Sequence, residues 1–142
     1  MPIRFPPLEE YKAQYKARLE RQIADLRRRG RDYVAAPRPK GYRLGRPGRC
    51  FYNAAMAAVY GKGKYVEGLF YRPRPLAAIP HAWITTDGRN AIELTLRGTE
   101  GVLYFGVEFD TQTIARAISG KGYVESQLGL SMFDFWPFAP LS

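Results

Sequence analysis

The stretch between Tyr65 and Leu96 constrains the fold more than any other part of the chain. YVEGLFYR (65–72) and PHAWITT (80–86) are rich in aromatic and β-branched residues, and AIELTL (91–96) follows them across the dipeptide Asp87-Gly88. Side chains of that kind suit a pleated, half-buried surface. Asp-Gly between two such runs signals a hairpin, because glycine takes the positive φ that a tight turn requires. The pattern predicts strands over 65–72, 80–86 and 91–96, with a proline-rich loop over 73–80. Tyr104-Phe105-Gly106-Val107 reads as one more, giving an antiparallel sheet of about four strands.

Helices must flank that sheet. CFYNAAMAAVYG (50–61) places Cys50, Ala54, Ala57 and Ala58 at helical spacing, its small residues permit close packing, and Gly61 supplies a stop. Upstream, Leu8, Tyr11, Tyr15, Leu19, Ile23 and Leu26 recur on one face of a 3.6-residue period. Glu9 and Glu10 stand near the start of that run, Arg27, Arg28 and Arg29 near its end, and Gly30 follows, so a helix is predicted over 7–29. Asp110 or Thr111 caps a third, short helix running through Ile118. The expected fold class is α+β. Residues 1–34 form a basic amphipathic N-terminal helix, 35–47 a Pro/Gly connector, and 48–142 the core with an aromatic tail, all in a single globular unit. The tail, MFDFWPFAPL (132–141), is too apolar to be solvated and either seals the core or docks on another subunit.

Charge divides the 142-residue chain sharply. The first 46 residues hold 13 basic and 5 acidic side chains; the rest hold 9 and 8. The excess therefore sits on an arm rather than over the whole surface. With one cysteine and one histidine, an internal disulfide is excluded and a Cys/His zinc site is not expected. No phosphate loop, dinucleotide glycine fingerprint or H-E-x-x-H motif is present. The apolar runs fall short of the roughly 20 residues a membrane helix needs, and a soluble, cytoplasmic protein without membrane contact is the expectation.

These counts leave any thiol or imidazole chemistry to Cys50 and His81. A thiol opening a helix lies at the positive end of the helix dipole, which favours the thiolate, and the free N–H groups there could receive a developing oxyanion. His81 and Glu93 fall on strands joined by the 87–90 turn. Their register is open: in a two-residue hairpin they are near but not opposite, and a turn over 87–90 brings Glu93 opposite Trp83 or Ile84. An imidazole that takes the thiol proton, with a carboxylate fixing its tautomer, is the logic of nucleophilic acyl transfer. Asn53, three residues after Cys50 on the same helix face, either touches the thiol's surroundings or caps nearby backbone. Trp83 shares a strand face with His81 and either shields a His81–Glu93 hydrogen bond from water or packs in the core. Glu67 lines a substrate groove, pairs with Arg72 or Arg74, or faces solvent.

The order Cys50, then His81-Ala82-Trp83, then Ile92-Glu93-Leu94-Thr95 resembles the transglutaminase-like branch of the papain-like cysteine hydrolases. In that branch a cysteine starts the central helix, one strand carries H-A-W and the next a V-D-x-T pattern. Cys50 with Asn53, Tyr65-Val66-Glu67-Gly68 and the H-A-W run also resemble segments of small phage and bacterial proteins. The likeness covers about 48–106. It implies a papain-like core with Cys50, His81 and Glu93 as the catalytic triad of a thiol protease, amidase or acyltransferase. It also implies a protein or peptide substrate and no cofactor. Glu93 stands where aspartate is usual, which leaves Asp87 and Asn90 as stand-ins. No glutamine or tryptophan shortly precedes Cys50, so Tyr42, Asn53 or backbone amides would serve the oxyanion. The alternative expectation is a non-catalytic relative that contacts nucleic acid weakly, or another protein, through its basic N-terminal helix.

Overall fold

In the computed structural model, residues 8–73, 76–121 and 124–130 are described; the 132–141 tail lies outside them. Helix α1 spans Leu8–Arg29, and strand β1, Arg31–Ala35, follows at once. Helix α2 is Cys50–Val59, β2 Lys64–Pro73, β3 Leu76–Thr85, β4 Asn90–Ala91, β5 Leu103–Phe109 and α3 Thr111–Ile118. The fold is α+β, with three helices around a mixed five-stranded sheet in the order β3-β2-β5-β1-β4.

Three expectations change. Residues 31–34, assigned above to the arm, and Ala35, assigned to the connector, enter the sheet between β5 and β4, antiparallel to the first and parallel to the second. Only Tyr33 of that strand is fully buried, so it carries no alternation to read from the sequence. The proline-rich loop shrinks, because β2 and β3 pair without interruption from Lys64↔Thr85 to Pro73↔Leu76. Pro80 is tolerated inside β3 because β3 has no ladder partner on its far side there, so no hydrogen bond is forfeited. Lastly, the 91–96 strand reduces to two residues plus a single bridge between Ile84 and Ile92.

That bridge joins the two ends of the sheet. The sheet therefore curls on itself, and the strand alternation sorts its faces. Tyr33, Val66, Phe70, Trp83, Ala91 and Tyr104 form a buried cluster drawn from every strand, which is the inner face. Gly68 pairs with both His81 and Gly106 in this layer. A Cβ on Gly106 would lie 2.8 Å from the Trp83 ring, so that glycine leaves the room the indole occupies, while a Cβ on Gly68 would run into the backbone of Phe105 and Gly106. On the outer face, Ala54, Ala55 and Ala58 of α2 pack against Tyr65, Ala82, Ile84 and Ile114. Leu26 of α1 joins Leu69, Ala78, Val107 and Leu130. Helix α1 stops at Gly30 through close approach, since a Cβ there would meet the Phe105 ring at 2.6 Å. Asp110 caps α3 by accepting from the Gln112 N–H at 3.0 Å. Among the described residues, no helix is long and apolar enough to cross a membrane.

Candidate active site

Cys50 is the first residue of α2, with Arg49 at the cap position and no side chain capping the helix. The N–H groups of the first turn have no intrahelical acceptor. The thiol is half-buried. Helix α2 leans its first turn on the chain just past Glu93, where Asn53 Nδ2 donates to Thr95 Oγ1 at 2.9 Å and to the Arg46 carbonyl at 3.0 Å.

The Ile84–Ile92 bridge fixes the register left open above: it puts Glu93 level with Trp83 and diagonal to His81. Pairing between these segments stops at that bridge, so the seam of the curled sheet opens beside His81 and Glu93, facing the start of α2. His81 Nε2 lies 2.8 Å from Glu93 Oε1 and 3.0 Å from Oε2, and both residues are buried. The carboxylate is held in turn by the backbone N–H of Thr95 at 2.9 Å, that of Leu96 at 3.0 Å, and the Tyr104 hydroxyl at 2.8 Å. With Nε2 committed to Glu93, Nδ1 is the ring nitrogen that remains for a further partner, and Cys50 is near enough to act on the charge of the ring.

Burial pushes the His81 pKa down, but the Cys50 sulfur as hydrogen-bond partner and the Glu93 carboxylate outweigh it and raise it to about 9. Burial likewise pushes Glu93 up, and the His81 bond and charge, the Leu96 N–H and the Tyr104 hydroxyl overcome it, holding the carboxyl below its ordinary value. At neutral pH the ring is therefore cationic between a carboxylate and a thiol. Phe70 and Trp83 enclose it, Phe70 edge-on with centroids 5.4 Å apart and Trp83 near-parallel at 6.4 Å. The Trp83 N–H is buried and has no acceptor among the described residues.

The other candidates fall into place around this trio. Asp87 accepts from the backbone N–H groups of Arg89 and Asn90 and from the Asn90 amide, which holds its carboxyl well below the carboxylate range. It is consumed by its own turn, together with Asn90, and neither reaches His81. Asn53 has both amide protons engaged, and the Tyr42 hydroxyl donates to the Lys62 carbonyl at 2.9 Å, so both serve as clamps rather than free oxyanion donors. Backbone N–H groups at the start of α2 remain for that role. Glu67 does not face solvent and pairs with no arginine among the described residues, which do not include Arg74. It is fully buried and accepts from Tyr65, Ser126 and the N–H groups of Gln127 and Leu128, on the outer face, away from His81. Tyr104 was missed by sequence reasoning. Its only advance signal was an aromatic in a strand, and its partner is 11 positions distant in a differently paired segment.

Two surface clefts adjoin the segment that carries Glu93, and neither has Cys50 or His81 in its lining. One, about 420 Å³, has Arg38, Arg97, Glu93 and Glu100 in its wall. The other, about 430 Å³, follows α2 and is lined by Tyr42, Arg43, Tyr52, Asn53, Met56 and Leu94. The described residues hold no cluster of metal-ligating side chains. No protein-family model matches the chain, and neither does any curated protein or solved structure.

Proposed function

We propose that this protein is a thiol-dependent hydrolase or acyltransferase acting on an amide, peptide or isopeptide bond, with a papain-like arrangement of Cys50, His81 and Glu93. One observation carries the reading: a buried histidine has one nitrogen fixed by a triply supported carboxylate and its other side beside the lone thiol at a helix start. A ring held cationic at neutral pH is the partner a thiolate requires. Cys50 Sγ attacks the carbonyl carbon, and the oxyanion is received by N–H groups at the start of α2. His81 then gives its proton to the departing amine as the C–N bond breaks, leaving a thioester. Water or a second amine attacks that thioester, His81 takes the proton from the attacking group, and the C–S bond breaks to restore the thiolate. Glu93 keeps the ring in one orientation throughout.

The test is the pH dependence of Cys50 alkylation by iodoacetamide. The wild-type thiol is expected to label readily at pH values at least about one unit below an ordinary thiol's titration near 8.5, and His81→Ala is expected to slow labelling at pH 7 by at least about tenfold. An ordinary titration in the wild type, unchanged by His81→Ala, overturns the reading.

A further inference from the structure

From the distribution of unpaired charge around α2 we infer that the substrate is an acidic polypeptide segment, gripped by cations on both sides of Cys50; this rests on the acyl-transfer reading above. No acidic residue occurs between Asp32 and Glu67, while Arg38, Lys40, Arg43, Arg46, Arg49, Lys62 and Lys64 do. The five on the 38–49 loop are all exposed, and none of the seven makes an ion pair with a described residue. The contrast with α1 is direct. Its Lys12, Lys16, Arg28 and Arg29 are matched within the helix by Glu9, Glu20 and Asp25. The seven basic residues of α1 share the helix with four acidic ones, whereas the seven between positions 33 and 66 have none among them, so the stretch around Cys50 carries the larger uncompensated charge.

That loop is fastened down. Gly45 N–H donates to the Leu94 carbonyl at 2.7 Å, the Arg46 carbonyl takes the Asn53 amide, and Tyr42 ties the loop to Lys62. The backbone that carries its cations is thus held in place, with Arg38 lining the cleft it shares with Glu93, Arg97 and Glu100, and Arg43, with Lys62, lining the α2 groove. Between those charges the α2 groove offers Leu44, Met56 and Leu94, surfaces for apolar side chains. A chain that supplies carboxylates to the rim, apolar groups to the floor and a carbonyl to the thiol is a polypeptide. A nucleic acid satisfies the charge but offers no amide linkage for the chemistry. Fixed cations around a site raise the local concentration of anions, and the effect fades as salt shortens the screening length.

The experiment compares alkylation of Cys50 by anionic iodoacetate and neutral iodoacetamide. Relative to free cysteine, the iodoacetate-to-iodoacetamide rate ratio is expected to rise about tenfold at about 20 mM salt and to fall back at about 300 mM. It is also expected to drop in Arg43→Glu/Arg46→Glu. In parallel, a short glutamate-rich peptide is expected to protect Cys50 from iodoacetamide at low salt, while its glutamine counterpart does not. A ratio equal to that of free cysteine at every salt concentration overturns the inference, as does stronger protection by a single-stranded DNA of equal charge than by the acidic peptide. These outcomes separate from failure of the catalytic reading, which would appear as ordinary iodoacetamide reactivity insensitive to His81→Ala.

Discussion

Glu93 spends both carboxylate oxygens on four donors: the His81 ring, the Tyr104 hydroxyl and two consecutive backbone N–H groups. A glutamate reaches one methylene farther than aspartate. Here the extra length is matched by a diagonal rather than directly opposed register with His81. The pair also ties stability to pH, with a definite sign. The folded His81 pKa of about 9 exceeds the ordinary 6.5. Its contribution is therefore fully present below about pH 6.5 and lost as pH rises through about 9. The lowered Glu93 pKa contributes in the opposite sense, present above its ordinary value of 4.5 and lost on acidification. We expect the thermal midpoint of the wild type to fall between pH 7 and about 9.5, and Glu93→Gln to be less stable at pH 7 with a flatter decline over that range. Parallel declines in the two proteins, followed by calorimetry, would show that the ring is not carrying this linkage.

Individual elements owe their placement to single polar anchors as much as to apolar faces. The clearest case is Glu67, a charged and completely buried residue inside strand β2, which is paired on both sides. From there it binds Tyr65 on its own strand and the Ser126, Gln127 and Leu128 stretch more than 55 residues away. This lays Leu128 and Leu130 over the α1 contact, where Gln22 also reaches the Gly129 carbonyl at 2.9 Å. Glutamine at position 67 keeps the size but turns one acceptor into a donor facing donors. Glu67→Gln is expected to lower the unfolding free energy by about 3 kcal/mol and to speed exchange of the Gln127 and Leu128 amides well beyond that of β2. Denaturant titration and hydrogen exchange decide it; a stability change within about 0.5 kcal/mol would mean the 126–128 stretch is held by its leucines instead. The same contrast between local and distant partners governs how much could be read in advance. Helix α2, the 87–90 turn, the Asp110 cap and the neighbourhood of His81 and Glu93 were legible because each is specified within a few residues or across one turn. Strand β1, the hydroxyl of Tyr104 on Glu93 and the clamp of Glu67 were not. Each depends on a partner brought up by the curl of the sheet, and RDYVA shows too few buried positions for alternation to announce a strand.

At the scale of the molecule, one seam links architecture to chemistry. Strands β2 and β5 are paired on both sides, whereas the ends of the sheet meet only through the two hydrogen bonds between Ile84 and Ile92, at 2.8 and 3.3 Å. A fully laddered closure would continue the backbone pairing past Glu93 and beside His81; ending the ladder after one bridge leaves that side of the ring open, which is where the proposed mechanism needs Cys50 to approach. The cost is local stability, since two bonds resist opening where a full ladder would contribute many. Amides of Ile84 and Ile92 are accordingly expected to exchange through openings smaller than global unfolding, faster than those of Val66 and Val107 in the doubly paired strands. If the seam is also the site, a ligand that acylates or alkylates Cys50 bridges its two sides and should slow exchange at Ile84 and Ile92 more than at Val66. Equal protection across all four amides before modification would mean that the curl closes as one cooperative unit. The opening between β3 and Glu93 would then be a fixed gap in the curled sheet rather than its weakest joint.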